Sequence, residues 1–357
     1  MKVLIAGAGP TGLSAGVELA RRGVTVEIFE RRTNASTLSR AIGISPSSLE
    51  LLTASGVTDR LLEEGVKYRT MRFFHGVRPW AEVAMSSAKP VQYGHNYMLG
   101  LPQDDTERIL RDVFVGLGGT IHIGCEVTGV AQSHKSVQLT LSDGDTFEGD
   151  YLIGADGVKS TVRGAVGIDY PGHALPDVWS IADVEADAWP HRDSVSMFML
   201  PNGRMAAVLP LGGRRVRLIS NSESALRAMP IDVQVSKIHR EGQFRVSLCQ
   251  VDDYSKDRVF LAGDAAHSQS PAGGRGMNLG ISDACDLAAR LAGDGDLAAF
   301  SAVRHAEGKR VMAGAERMRQ IVTSRSKLRR FAALSMLKTA TKIPTLQRLI
   351  ANMVLYG

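Results

Sequence analysis

A short apolar run, Lys2-Val3-Leu4-Ile5-Ala6, feeds directly into Gly7-x-Gly9-x-x-Gly12, and this junction constrains the fold more than any other stretch. The run reads as a strand buried on both faces, and Leu13 to Arg22 as a helix stopped by Gly23. Gly7 permits the tight turn between them, Gly9 lets the backbone approach a pyrophosphate, and Gly12 lets helix and strand close together. Pro10 and Thr11 lie among these glycines, just ahead of a helix whose free N–H groups suit an anion. Val24–Phe29 reads as a second strand. Glu30 ends it where a carboxylate accepts hydrogen bonds from an adenosine ribose, with Arg31 next to it. The glycines alone could be a chance turn. Strand, turn, helix, strand and acid together predict a Rossmann-type α/β dinucleotide domain.

The rest of the 357 residues divides by pattern. Tyr151–Gly154 and Val259–Ala262 are two more short buried strands, each running into a glycine-aspartate turn. Ser45-Pro46 opens a short helix that Gly56 stops, and Asp104-Asp105 opens another that runs to about Leu117. Ser194–Leu200, Arg204–Pro210 and Arg215–Ser220 alternate with glycine turns, which predicts an antiparallel sheet. From Gly276 onward the pattern is helical. With 44% apolar residues the chain can bury cores for about two domains. The expected division is a discontinuous nucleotide domain at 1–69, 98–168 and 257–300, a β-sheet domain at 70–97 and 169–256, and a helical cap at 301–357.

Other classes fit poorly. Apolar runs such as Phe114–Leu117 fall far short of a membrane span, so stable membrane insertion is not expected. The apolar start mimics a signal peptide only until Gly7-Ala8-Gly9-Pro10 breaks it. Cys125, Cys249 and Cys285 lack metal-ligand spacing, so the expectation is a reducing cytoplasm and no structural metal. The net charge is +5, yet Lys and Arg are dispersed and no nucleic-acid module is recognisable. Nucleic acid is therefore not an expected partner.

Two further segments decide which dinucleotide. Asp150-Tyr151-Leu152-Ile153-Gly154-Ala155-Asp156-Gly157 continues to Arg163, and Arg258-Val259-Phe260-Leu261-Ala262-Gly263-Asp264-Ala265-Ala266-His267 comes later. Arg40-Ala41, Gln103-x-x-x-Glu107, Pro271-x-Gly273-Gly274-x-Gly276-Met277-Asn278 and Gly280-x-x-Asp283-Ala284 add to them. With these motifs the chain resembles the class A flavoprotein aromatic hydroxylases, the para-hydroxybenzoate hydroxylase-like monooxygenases. The resemblance covers about 1–65, 97–165 and 256–292, and no motif matches in the inserted sheet. It implies a GR2-like FAD-binding domain, an inserted, mostly antiparallel β-sheet substrate domain and C-terminal helices. It further implies that the fingerprint with Glu30 and Arg31 holds the ADP half of FAD, and that Arg40 and Gln103 reach the flavin's central region. Asp156 is implied to be tied to both FAD and NAD(P)H, and Asp264 to the ribityl chain. Pro271, Gly274, Gly276, Met277 and Asn278 would run past the isoalloxazine. Read by itself, Asp264 also suits a helix N-cap.

The implied activity is that of an FAD-dependent monooxygenase using NADH or NADPH and O₂. A flavin C4a-hydroperoxide would pass oxygen to an electron-rich aromatic or polyketide-like small molecule. No catalytic base is assigned, and the sequence does not choose between monomer and homodimer. The competing readings are an FAD-dependent reductase or dehydrogenase of a polyprenyl or other alkene, and a non-catalytic FAD-binding protein. Substrate-lining candidates are Met197 and Met199 on one strand, Met205 on the next, and Pro271 with Gly273 in the flavin turn. A methionine stripe of this kind is more often ordinary core than a substrate wall, and Tyr93 and Tyr97 are weaker candidates as pocket donors. His267 reads as structural rather than as a base. Arg275, where the family usually has glutamine, faces either the reduced flavin or NAD(P)H, or solvent. From Arg317 to Gly357 there are nine Lys or Arg and no Asp or Glu, interleaved with apolar residues. The favoured reading is a cap docked on the FAD domain, ahead of a helix pair lying on an anionic membrane.

Overall fold

The computed structural model describes residues 1–34, 41–88, 94–271 and 273–356. Arg40 and Tyr93 lie outside the described residues. The run Lys2–Ala6 is buried from Val3 onward because it sits inside a six-stranded sheet. Across that sheet the order is Ser255–Lys256, Val259–Leu261, Tyr151–Gly154, Lys2–Ala6, Thr25–Glu30 and Thr120–Ile123. All neighbours are parallel except the first pair, and the register sets Leu4 beside Leu152 and Ile5 beside Ile28. Parallel neighbours need crossover connections, and helices supply the covering layers.

Ten helices lie among the described residues. They are α1 (Pro10–Ala20), α2 (Pro46–Leu51), α3 (Val57–Glu64), α4 (Gln103–Gly116), α5 (Thr161–Ala165), α6 (Ala225–Ala228), α7 (Gly276–Leu291), α8 (Phe300–Val322), α9 (Lys327–Ala340) and α10 (Pro344–Tyr356). Helix α1 starts at Pro10, earlier than the apolar pattern suggests, because proline is well suited to a first helical turn. It packs against both α4 and α7. The Ser45 hydroxyl caps α2 by accepting from the Ser48 N–H at 3.2 Å.

A second, eight-stranded sheet runs His267–Ser268, Val235–Gln250, Gly172–Ala186, Arg215–Ser220, Met205–Gly212, Ser194–Met199, Thr70–His75 and Arg78–Ala84. The three strands expected between 194 and 220 are neighbours here, as the glycine turns predict. Two of these strands are not legible in the sequence. Val235–Gln250 carries Lys237, His239 and Glu241 exposed to solvent, so partners on the sheet rather than its own apolar content hold it. Thr70–His75 pairs in parallel with Ser194–Met199, a long-range contact that no local signal announces.

The sheet has two dissimilar faces. Phe198, Ala206, Val208 and Leu218 pack with Trp189 on one side. Met199, Met205 and Ala207 pack on the other with Trp179, Val246, Val322 of α8 and Leu334 of α9. The C-terminal helices are pinned there: Trp80 Nε1 donates to the Leu334 carbonyl at 2.7 Å, and the Lys338 ammonium sits 4.6 Å from the Trp80 ring. Ala351 and Leu355 of α10 are fully buried with Ile42, Tyr68, Met98 and Leu211. The cap docks one face only, since Leu328 is 78% and Met336 73% exposed. No helix among the described residues is long and apolar enough to cross a membrane.

Candidate functional site

Four turns gather at the carboxyl ends of the parallel strands, where ligands of open α/β sheets bind. Gly7 follows Lys2–Ala6, Glu30 ends Thr25–Glu30, Ala155 follows Tyr151–Gly154, and Gly263 comes just after Val259–Leu261. Backbone bonds lace them together: the Gly7 N–H donates to Phe29 O at 2.8 Å, Ala155 N–H to Ala6 O at 2.8 Å, and Ala262 N–H to Gly154 O at 3.0 Å. Gly7 has φ +102°, and a Cβ there would lie 2.4 Å from the Ala155 carbonyl oxygen. A Cβ on Gly12 would lie 2.0 Å from the Gly7 carbonyl oxygen. On Gly9 it would meet nothing within 4 Å, so the start of α1 opens onto free space. Gly9 offers no side-chain cap and the first turn holds no acidic residue, which leaves its N–H groups for an anion.

Glu30 borders that opening. Its Oε2 accepts from the Ala8 N–H at 2.8 Å, and its Oε1 accepts from the Arg32 backbone N–H and Nε, both at 2.9 Å. Burial by itself would raise its pKa, but Arg32 and the Ala8 N–H outweigh burial and hold the carboxylate below its ordinary range. Arg31 turns away from the Glu30 carboxylate. Its side chain is 58% exposed and reaches Glu126 at 3.9 Å, while Arg32 takes the place beside Glu30. The alternation of an extended chain puts residues 30 and 32 on one side.

Thr11 fits a notch between two glycines: Cβ atoms on Gly263 and Gly280 would lie 2.4 and 2.3 Å from its Oγ1. The Gly263–Ala265 turn that carries Asp264 is pinned by three side chains. Asp283 Oδ2 accepts from the Gly263 N–H at 3.0 Å, Tyr170 OH donates to Asp264 O at 3.0 Å, and Arg163 Nη1 donates to Ala265 O at 2.9 Å. Asp264 itself is exposed at the rim. Asp283 also accepts from His267 Nε2 at 2.6 Å and Arg304 Nε at 2.7 Å, all three being buried. Burial alone would raise the Asp283 pKa; His267, Arg304 and the Gly263 N–H together hold it low. His267 is thus structural, as expected. Asp156 points its carboxylate at the start of α5, accepting from Ser160 Oγ at 2.5 Å and from the Thr161 N–H at 2.7 Å.

A third group lines the far side. Gln103 Oε1 accepts from the Ala41 N–H at 3.3 Å and its Nε2 donates to Glu107 Oε1 at 2.8 Å. Asn278 Nδ2 donates to Gly43 O at 2.9 Å and Gly274 O at 2.8 Å, while its Oδ1 accepts from the Ser45 N–H and Ser48 Oγ. Two donors and two acceptor positions are the whole capacity of an amide. Asn278 therefore holds the turn instead of presenting its side chain to a ligand. Gly273 and Gly274 adopt φ +90° and +64°, and Cβ atoms on Gly274 and Gly276 would meet nothing within 4 Å. Pro271 closes this turn, its carbonyl accepting from the Gly274 N–H at 3.0 Å, and Met277 packs into the nucleotide-side core.

The substrate-lining candidates separate. Met199 and Met205 are 4% and 6% exposed beneath α8 and α9, which makes them core. Met197 is half-buried at the seam between two apolar clusters. Tyr97 is buried and hydrogen-bonded to His95 Nδ1 at 3.0 Å. On the sheet, Arg217 and Asp183 form a fully buried two-point pair at 2.5 and 2.7 Å, and Arg217 Nη1 reaches Ala41 O at 3.4 Å. Two depressions lie elsewhere. One, of about 660 Å³, sits at the opposite ends of the strands beside Tyr151 and Arg258; the other, of about 120 Å³, sits beside Trp189 and Phe198.

An open helix start, an anionic carboxylate beside it and a second glycine-fronted helix start are what the pyrophosphate, ribose and flavin of FAD require. The FAD binding domain family matches residues 1–227 and 217–314, and the chain belongs to this family, that of the FAD-dependent aromatic hydroxylases. Among curated relatives, the rifampicin monooxygenase of Streptomyces venezuelae is 31% identical over 312 residues, 82% of this chain and 64% of its own length. The dialkyldecalin synthase of Streptomyces rugosporus is 29% identical over 360 residues, 93% of this chain and 75% of the relative. The crystal structure of p-nitrophenol 4-monooxygenase from Pseudomonas putida DLL-E4 superposes with a TM-score of 0.89 at 21% identity, covering 99% of this chain and 97% of that one.

Proposed function

We propose that the chain is an FAD-dependent monooxygenase that takes electrons from NADH or NADPH and places one oxygen of O₂ on an electron-rich aromatic or polyketide-like small molecule. The observation that carries this reading is the dinucleotide seat, in which the open start of α1 lies beside the anionic Glu30. Bound FAD supplies the redox and oxygen chemistry; the protein supplies binding, orientation and a dry site.

In this reading the first-turn N–H groups of α1 at Gly9, Thr11 and Gly12 bind the pyrophosphate and Glu30 accepts from the adenosine ribose. Asp264 accepts from the ribityl hydroxyls. Gln103 and Asn278 position the backbone at Ala41, Gly43 and Gly274 through the bonds described above. The apolar face around Met197 and Leu209 excludes water, which suppresses wasteful loss of activated oxygen. Pro271 and Gly273, in the turn ahead of α7, face the substrate in this reading. The name of the rifampicin monooxygenase agrees with such chemistry on a complex small molecule. Cys125, Cys249 and Cys285 are unpaired, which suits a reducing cytoplasm.

The test is NAD(P)H oxidation by the purified yellow protein over a panel of phenols and polyketide-like quinols under isotopically labelled O₂. Label in the product, matched to NAD(P)H consumed, supports the reading; anaerobic turnover would point to a reductase instead. The dialkyldecalin synthase match favours one second reading, an FAD-holding protein that cyclises an unsaturated substrate. Conversion with no NAD(P)H consumed and no label gained would select it.

A further inference from the structure

Arg275 sits between Gly274 and Gly276, yet its side chain turns neither to the flavin seat nor freely into solvent. Its Nη2 donates to Met353 O at 2.7 Å and Val354 O at 3.0 Å, and its Nη1 to Leu355 O at 3.4 Å. These carbonyls belong to the last turn of α10, where a helix leaves its acceptors unused. Helix α10 has no basic residue in that turn, so Arg275 supplies from another element the cation that a helix C-terminus favours. Burial, with Arg310 nearby, lowers the Arg275 pKa to about 10, which keeps it charged at neutral pH.

The same helix borders the site at two other places. Ala351 and Leu355 are buried against Ile42 and Met98, and Tyr356 OH donates to His95 O at 3.1 Å. The turn itself is held from the opposite side by Asn278 on Gly274 O. Gly273 and Gly274 have positive φ, so the free turn would sample many conformations. A glutamine at 275 has two donors and no charge, and could not satisfy three carbonyls.

We propose that Arg275 is a positioning residue that locks α10 onto the flavin turn, making α10 the outer wall of the flavin and substrate site and coupling its docking to FAD binding. The proposal rests on the FAD reading above. Coupling of this kind is reciprocal: FAD should tighten α10, and a docked α10 should tighten FAD.

The experiment is amide hydrogen exchange of the full chain with and without FAD, together with FAD titration and visible circular dichroism of the bound flavin. In the wild type, FAD is expected to slow exchange across 344–356. In Arg275→Gln that protection should vanish, the FAD dissociation constant should rise about tenfold and the flavin dichroism should change. Arg275→Lys should recover part of each effect. An Arg275→Gln protein with mobile α10 but unaltered FAD affinity and dichroism would overturn the proposal, because α10 would then be merely docked. If the variant does not fold, the wild type decides: FAD bound with no change at 344–356 also overturns it. A wild type that binds no FAD sinks the flavin reading, a result distinct from FAD binding without effect on α10.

Discussion

Asp264 and Glu30 divide the labour of two carboxylates. Glu30 is held anionic by Arg32 and the Ala8 N–H, whereas Asp264 stands exposed on a turn whose backbone others fix. Asp264→Ala is expected to weaken FAD binding by about 1.5–3 kcal/mol, the usual scale for a charged hydrogen bond, without lowering the melting temperature of the FAD-free protein. Unchanged affinity in an FAD titration removes Asp264 from the site. Arg217 and Asp183 behave oppositely, since neither reaches solvent. Arg217→Leu leaves a buried carboxylate without its partner, and denaturant unfolding should register a loss of about 3–5 kcal/mol. The double variant Asp183→Leu with Arg217→Leu should recover most of it; no recovery would mean that the contact with Ala41 O matters more than the pair. Glu30 was legible because it ends a strand at a fixed place after the glycines. Arg32 carries no signal of its own, because the neighbouring Arg31 is chemically identical and only the side of the chain it faces separates them.

At the level of elements, α8 and α9 decide the fate of the methionine stripe. Val322 and Leu334 cover Met199 and Met205, so the cap finishes a core that the sheet leaves open. Removing the chain from Ser326 onward should give insoluble or FAD-poor protein, measured as the soluble fraction and bound flavin per chain. Soluble, FAD-replete truncated protein that has lost salt-sensitive binding to anionic vesicles would reinstate the membrane reading, to which the outward Leu328, Phe331 and Met336 lend an apolar face. The amphipathic spacing of α9 was readable in advance. Its anchor was not, because Trp80 and Leu334 are 254 residues apart and their bond depends on how the sheet is assembled.

For the whole molecule, two buried carboxylates set the response to pH in opposite senses. Asp283 has a lowered pKa, so its contribution is present above the ordinary aspartate value of about 3.9 and is lost as pH falls through its folded value. Thermal melts should therefore lose stability steeply below about pH 4, and Asp283→Asn should cost about 3–5 kcal/mol at neutral pH while flattening that acid limb. An unchanged acid limb would place the sensitivity elsewhere. Glu107, beneath Gln103, is raised by burial despite that hydrogen bond, so its ionisation costs stability as pH climbs above about 4.3. Glu107→Gln should raise the melting temperature at pH 7 and leave it unaltered near pH 4. An equal shift at both would assign the gain to packing instead.

The order of residues along the chain determined the nucleotide-binding half, because its chemistry is local: a strand, a turn that only glycine can make, and an acid at a set distance all lie within Lys2–Glu30. The resemblance extends the expectation to Gln103, Asp156 and Asp264, and the helical tail follows from apolar spacing. Tertiary structure alone decided what those residues do. Asp156 caps α5, Asn278 fills its capacity within the protein, and Arg275 reaches across 78 residues to the carbonyl of Met353. Each outcome turns on which partner arrives from a distant segment. A side chain's type limits what it can bond to, but only the assembled fold brings that partner within reach.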